Sequence, residues 1–278
     1  MTPIVAFQGV PGAYSQQACR QYFGDDVQTL PCQSFNDMFM SLHRSEVTHI
    51  MLPVENSVAG TVSTAYDTLS NHDFRVQGEE IVRVRHCLVA PEGVSLGDVK
   101  KAKSHWQALA QCEGTLYRMG IEPVNHLDTA GAAQEVAELQ ESDTAAISSE
   151  LAAELYGLNV LARDLQDSLN NYTRFFVIGR EDAPPGDRNK TSIIFVTRND
   201  NKPGALHRVL GELEKNNISM TKLESRPRKN VAWHYRFFVD FEGHEDDANV
   251  QAALAGILRH TSSLKILGSY PAKELNGD

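Results

Sequence analysis

The sequence predicts an α/β protein of two units, on three observations. Charge divides unevenly: residues 1–180 hold 12 Lys/Arg against 22 Asp/Glu, a balance of −10, whereas residues 181–278 hold 14 of each. The segment R-E-D-A-P-P-G-D-R-N-K (180–190) is charged, carries Pro-Pro-Gly and has no periodicity, which marks a linker. Before it, strand-like and helix-like runs alternate; after it, they follow the order β-α-β-β-α-β. A chain of 278 residues fits about two units of ~100–200 residues each.

The elements follow in order. Pro3–Gln8 reads as a strand, Gly9-Val-Pro-Gly12 as a turn, and Ala13 to Phe23 as a helix. His49–Val54 is a short apolar strand and Glu80–Ala90 another. Ala145–Ser148 leads into a helix through Ser149–Tyr156, closed by Gly157. Phe175 to Ile178 form the core of a strand whose polar start is Asn170 to Arg174. After the linker, Thr191–Thr197 is a strand. Pro203-Gly204 opens a helix with Leu206, Val209, Leu210 and Leu213 at helical spacing, and Asn216-Asn217 ends it. Ser219–Glu224 is the next strand. Trp233, Tyr235, Phe237, Val239 and Phe241 then alternate with His234, Arg236 and Asp240 over a third strand. Val250–Leu258 and Leu264–Gly268 complete a ferredoxin-like split βαβ, and residues beyond Pro271 read as frayed.

Hydrophobic residues make up 41% and charged residues 22%, as in globular proteins in water. The net charge of −10 argues against nucleic acid and anionic membranes as partners. No apolar run approaches the ~18 residues of a membrane span. The N-terminus enters a strand almost at once, so no signal peptide and no preceding helical domain are expected. Cys19, Cys32, Cys87 and Cys112 are scattered and read as reduced thiols of a cytoplasmic protein. The ten histidines show no metal-ligand spacing, so no metal and no cofactor is expected.

In an α/β sheet, ligands sit beyond the carboxyl ends of strands, where helix N-termini offer free N–H groups. That picks out loops 9–15, 53–60, 104–107 and 128–131. G-V-P-G-A-Y-S (9–15) has G-x-x-G without a dinucleotide fingerprint; it is a plain turn or a close backbone approach to an anion. In P-V-E-N-S-V-A-G-T-V (53–62), Asn56 or Ser57 caps a helix, or Glu55, Asn56 and Ser57 line a polar site. In S-H-W-Q-A-L-A-Q-C (104–112), Ser104 is an N-cap candidate and Gln107 faces either a cleft or solvent. D-T-A-G-A-A (128–133) reads first as an Asp128 cap; alternatively its amides face a ligand carboxylate. Spacing alone reaches a protein that binds a small polar or anionic molecule.

These loops, with A-A-I-S-S-E-L-A-A-E-L-Y-G-L (145–158) and N-N-Y-T-R-F-F-V-I-G (170–179), resemble the prephenate dehydratase family in this order and over nearly the whole chain. N-K-P-G-A-L-H-R-V-L (201–210) and E-S-R-P (224–227) resemble an ACT domain. The resemblance implies a catalytic domain over 1–180, built as two subdomains like type II periplasmic binding proteins. Subdomain 1 takes 1–76 and 171–180, and subdomain 2 takes 77–170, with crossings near 76–80 and 170. A linker (181–190), an ACT regulatory domain (191–271) and a tail (272–278) follow.

The implied reaction is decarboxylative dehydration of prephenate to phenylpyruvate, without cofactor, under feedback by L-phenylalanine. Arogenate dehydratase, or an amino-acid sensor with the same fold and no catalysis, are the alternatives. The resemblance places the key hydroxyl at Thr173, with Arg174, Glu55, Asn56, Ser57 and Gln107 beside it. It places substrate contacts at Tyr14, Ser15, Thr129 and Phe175. Effector contacts fall at Gly204, Ala205, Leu206, Glu224, Ser225, Arg226 and Pro227, across a homodimer or homotetramer interface. One position departs: Trp106 stands where the family has proline, which bears on where Gln107 lies.

Overall fold

A computed structural model describes residues 2–198, 202–228 and 234–274. The chain begins β1 (Ile4–Gln8), α1 (Tyr14–Phe23), β2 (Gln28–Cys32), α2 (Phe35–His43), β3 (His49–Asn56), β4 (Gly60–Thr61), α3 (Ser63–Leu69) and β5 (Arg75–Arg83). It continues β6 (Cys87–Ala90), β7 (Lys101–His105), α4 (Trp106–Gln111), α5 (Glu113–Met119), β8 (Glu122–His126), α6 (Thr129–Leu139), β9 (Thr144–Ser148), α7 (Glu150–Tyr156), β10 (Asn159–Ala162) and β11 (Tyr172–Gly179). Then come β12 (Asn189–Thr197), α8 (Ala205–Lys215), β13 (Met220–Pro227), β14 (Tyr235–Glu242), α9 (Ala248–His260) and β15 (Thr261–Pro271).

The first sheet has the order β2-β1-β3-β11-β5, with β4 paired to β3. Strand β1 runs parallel to both neighbours, and its Val5, Ala6 and Phe7 are fully buried, because helices cover both faces. The second sheet has the order β10-β6-β9-β7-β8. Its strands divide their residues between two cores. Leu88, Ala145 and Ile147 join Leu109 and Leu116 on the side of α4 and α5. Val89 and Ala146 join Ala130, Ala133, Val136 and Ala152 on the side of α6 and α7. That is the period of two that a strand dictates, and the alanines let helices approach closely. The result is the expected α/β architecture: two subdomains, each built on its own sheet, joined by two crossovers.

The first crossover is later than expected. Strand β5 stays in the first sheet to Arg83, and the chain changes sheet over residues 84–86; the expected strand Glu80–Ala90 is therefore two strands. The unbroken β-like composition of E-I-V-R-V-R-H-C-L-V hid the break. Val84 N–H donating to Asn171 O (2.7 Å) and Leu165 N–H donating to His86 O (3.0 Å) hold the crossing segment. The chain returns between Ala162 and Tyr172.

The C-terminal sheet has the order β13-β14-β12-β15, antiparallel throughout, which is the ferredoxin-like ACT arrangement. Helices α8 and α9 cover one face through Val209, Leu213, Val250 and Ile257 against Ile193, Phe195, Val239 and Phe241. The other face is not open to water. Phe238 and Asp240 on it are buried at 1% and 2% exposure, and Asp240 accepts from Ser192 Oγ at 2.6 Å. Tyr66 of α3 packs on Phe238 at 4.8 Å between centroids, and Phe176 packs on Tyr270 at 5.8 Å. Ser63–Glu79 and Phe176 onward accordingly form one compact unit, and residues up to Val62 with Glu80–Phe175 form the other. Trp233, expected to begin β14, lies outside the described residues. Among the described residues, no helix is long and apolar enough to cross a membrane.

Candidate active site

A cleft of about 730 Å³ opens at the carboxyl ends of β1, β2, β7 and β8. Gln8, Gly9, Val10, Tyr14 and Ser15 line it from the first subdomain, and His105, Gln107, Leu127, Asp128 and Thr129 from the second. Tyr14, Ser15, Gln107 and Thr129 were expected at the site, and these four share this cleft.

The two walls meet in a tight joint. Gly12 has φ +91°, and a Cβ there would lie 2.7 Å from Ala152 Cα and Cβ. Ser149 Oγ donates to Gly12 O at 2.5 Å while accepting from Ala152 N–H, so one hydroxyl caps α7 and anchors the first loop. Tyr156 Oη donates to Pro11 O at 2.8 Å. Only glycine meets both the positive φ and the approach of α7.

The helix starts facing the cleft differ in their free amides. Asp128 caps α6, its Oδ1 accepting from Gly131 N–H at 2.5 Å, so that end already carries a carboxylate. At α1 the N-cap is Ala13, with no side-chain cap, and Ala13, Tyr14 and Ser15 line the cleft. At α4, His105 Nδ1 accepts from Gln107 N–H at 3.3 Å. Trp106 occupies the first helical position and is 61% exposed, so its bulk is accommodated in solvent and Gln107 still lines the cleft.

Glu55 and Asn56 end β3, with Ser57 just beyond, directly beside the start of β11. Ser57 N–H donates to Tyr172 O (2.8 Å), Ser57 Oγ donates to Asn170 O (2.8 Å) and accepts from Tyr172 N–H (2.9 Å). Asn56 Oδ1 accepts from Val58 N–H and Ala59 N–H; its Nδ2 faces Asn171 Oδ1 (2.8 Å), Tyr172 O (3.1 Å) and Thr173 Oγ1 (3.0 Å). Thr173 Oγ1 thus accepts a hydrogen bond, and among the described residues no acceptor takes its own hydrogen. Arg174 Nη1 stands 4.0 Å from Glu55 Oε2, an arginine side chain only 12% exposed. Phe175, expected among the substrate contacts, has its ring in the core at 1% exposure.

Three residues joined to this group were not singled out from sequence: Gln111, Asn171 and His86. Asn171 Nδ2 donates to Gln111 Oε1 at 2.8 Å, His86 Nε2 lies 2.9 Å from the same oxygen, and His86 Nδ1 lies 3.0 Å from Tyr14 Oη. Gln111 was within reach of sequence reasoning, since it sits four residues after Gln107 and therefore on the same face of α4.

The expected effector residues lie on two elements of the C-terminal unit. Gly204, in the left-handed region at φ 75°, is the N-cap of α8, which Ala205 and Leu206 open. Glu224, Ser225, Arg226 and Pro227 lie on β13, an edge strand of its sheet, and Arg226 Nη2 pairs with Asp67 Oδ2 at 3.5 Å.

Comparison with known proteins agrees with this architecture. The family model described as prephenate dehydratase matches residues 5–183, and that described as ACT domain matches residues 192–259. A chloroplastic arogenate dehydratase/prephenate dehydratase of Arabidopsis thaliana is 41% identical over 278 residues, covering 96% of this chain and 72% of that protein. A solved prephenate dehydratase of Arthrobacter aurescens in complex with L-Phe superposes with TM-score 0.88 at 32% identity, over 96% of this chain and 89% of that one. GqqA, described as a quorum quenching acylase, superposes with TM-score 0.90 at 38% identity, over 97% of this chain and 98% of that one. With more than half of its length, residues 5–183, matched to one family model and residues 192–259 to an ACT domain, the chain belongs to the prephenate dehydratase family, as a lyase carrying a C-terminal ACT domain.

Proposed function

We propose that the protein converts prephenate to phenylpyruvate, with loss of CO2 and water, under feedback by L-phenylalanine bound at the ACT domain. The observation that carries this reading is the Asn56–Thr173 bond. Asn56 donates to Thr173 Oγ1, which turns the threonine hydrogen away from the asparagine and leaves it to donate. Prephenate is a cyclohexadiene with a carboxylate and a pyruvyl side chain at one carbon and a hydroxyl at the opposite one. As CO2 leaves, its bonding electrons enter the ring, and the C–O bond at the far carbon breaks. The dianion and one proton give the phenylpyruvate anion, CO2 and water. A threonine has no acidity near neutrality, so Thr173 acts as a hydrogen-bond donor to the departing oxygen. Proton transfer is concerted with C–O cleavage, and solvent restores the proton.

The two substrate carboxylates need cationic or N–H partners. Arg174 offers a fork, and the first turn of α1 near Tyr14 and Ser15 offers amides; α6, capped by Asp128, is the poorer anion site. Glu55, Ser57, Gln107 and Thr129 complete the polar wall. The same reading assigns 1–180 to catalysis, 181–190 to a linker and 191–271 to regulation. It places the effector at Gly204, Ala205, Leu206 and Glu224–Pro227, in a cytoplasmic homo-oligomer of two or four chains.

Arogenate, the amino analogue, is the second substrate to weigh, because the Arabidopsis relative at 41% identity carries both names. The test is turnover of prephenate and of arogenate by the purified protein, with and without L-phenylalanine, beside Thr173→Ala. Prephenate turnover suppressed by phenylalanine and lost in Thr173→Ala supports the reading. Preference for arogenate moves the substrate. Hydrolysis of an acylated amide without turnover of either overturns it.

A further inference from the structure

A line of side chains leads from the cleft to Thr173: Tyr14, His86, Gln111, Asn171 and Asn56. His86 lies in the first crossover, Asn171 just before β11 at the second, and Gln111 at the end of α4.

The direction of every hydrogen bond in this line is set at one end. Asn56 Oδ1 faces the N–H groups of Val58 at 3.0 Å and Ala59 at 2.8 Å. A backbone N–H can only donate, so the atom facing them is the oxygen and the amide of Asn56 has one orientation. Its Nδ2 therefore faces Asn171, which must present Oδ1. Asn171 Nδ2 then faces Gln111, which must present Oε1. That oxygen also faces His86 Nε2 at 2.9 Å, and an amide oxygen only accepts, so Nε2 carries a hydrogen. Burial pushes His86 below its usual pKa and keeps it neutral. Nδ1 then holds the lone pair and accepts from Tyr14 Oη at 3.0 Å, a hydroxyl that burial keeps protonated. Tyr14 shares its single hydrogen with Arg85 O, 2.8 Å away.

We propose that His86 is a positioning residue for Thr173, held as the Nε2–H tautomer and acting through Gln111, Asn171 and Asn56. The proposal rests on the reading that Thr173 donates to the leaving oxygen. The imidazole donates to Gln111 Oε1 at the far end of the line; without it that oxygen keeps only Asn171 Nδ2, the Gln111 side chain is free to shift, and Asn171 and Asn56 lose a fixed position against Thr173, although Val58 and Ala59 N–H still set the direction of the Asn56 amide. The threonine hydroxyl then samples orientations in which its hydrogen does not meet the substrate, and misplacement on this scale costs turnover rather than binding. The buried backbone of the same residue is clamped separately, His86 N–H donating to Gln166 Oε1 at 2.9 Å, so the ring can be changed without releasing the crossover.

The test compares His86→Gln, whose amide reaches the Nε2 position, with His86→Asn, whose amide reaches only the Nδ1 position, and with Thr173→Ala. His86→Asn is expected to lower kcat for prephenate on the order of tenfold to a hundredfold with KM within about twofold, and His86→Gln to restore most of it. Equal turnover in both variants, with Thr173→Ala inactive, overturns the inference alone. An active Thr173→Ala overturns the reading of Thr173 and the inference with it. Nitrogen-15 NMR of the unmutated protein gives a second measurement that does not depend on a folded variant. The shift pattern of an Nε2–H tautomer supports the assignment, and that of an Nδ1–H tautomer overturns it.

Discussion

Asp67 Oδ2 lies 3.5 Å from Arg226 Nη2, which ties helix α3 to edge strand β13. Arg226 belongs to the E-S-R-P segment expected to meet phenylalanine, and α3 continues the chain from the loop that holds Glu55, Asn56 and Ser57. Tyr66 of the same helix packs on Phe238 of the ACT sheet, and Arg236 donates to Ser70 Oγ just past its end. An effector that moves β13 therefore moves the helix that follows the site loop. Coupling of this kind requires that the effector bind two arrangements of α3 unequally.

Asp67→Asn is expected to keep basal turnover and to weaken the phenylalanine effect about fivefold, the lower end of typical coupling energies. Both side chains are partly exposed, at 22% and 27%, so the pair itself contributes no more than about 1 kcal/mol of stability. Inhibition curves and urea midpoints of the two proteins check both statements. A basal rate that collapses, or inhibition left unchanged, removes the role of this pair.

Asn56→Asp tests the donor rather than the shape. The carboxylate is isosteric, but it puts an acceptor where Nδ2 donates to Thr173, Asn171 and Tyr172 O. It keeps the two bonds from Val58 and Ala59 N–H. The expected loss in kcat is roughly 10²–10³, the range for removing one preorganised donor from a reacting centre. Steady-state assays with prephenate measure it, and a thermal melt separates it from unfolding.

The loops of this site were legible because turn residues punctuate each strand-to-helix step, and Asp128 caps α6 as its position suggests, whereas His105 rather than Ser104 caps α4. The line from Tyr14 to Asn56 was not legible. Its bonds join positions as far apart as residues 56 and 171, and His86 lay inside a run that reads as one strand. Periodicity predicts which face a residue takes, not which distant amide it meets. The same limit applies to α3: nothing in S-T-A-Y-D-T-L says that Tyr66 will cover the second face of a sheet more than 120 residues later.

Gly12→Ala is expected to destabilise the protein by about 1–3 kcal/mol, because the new Cβ meets the α7 backbone and φ is positive. The damage falls on the joint between the cleft walls, so KM for prephenate should rise with it. Chemical denaturation and a KM measurement on the same preparation report both.

The buried thiols should be inert in the folded protein. Burial pushes Cys19 and Cys112 up to about 12 and Cys87 to about 11, so thiolate is scarce at pH 8. A chromogenic disulfide reagent should react with these three only after urea is added. Fast labelling of any of them without denaturant contradicts the packing described for its helix or strand.

Stability should fall as the pH drops below the ordinary histidine range. Burial lowers the pKa of His86 from 6.5, while the unfolded chain titrates near that value. Below it, the unfolded state binds a proton that the folded state resists, so the neutral ring contributes stability that is fully present above pH 6.5 and is lost toward the lower folded value. His105 is shifted in the same direction, again by burial, and adds to the slope. Urea midpoints taken between pH 7.5 and about pH 5 should therefore decline for the unmutated protein and decline less for His86→Gln, which has no group to titrate there. Parallel curves for the two proteins would mean that His86 takes up its proton inside the fold. Its Nδ1 would then donate to Tyr14, and the tyrosine hydrogen would turn wholly to Arg85 O.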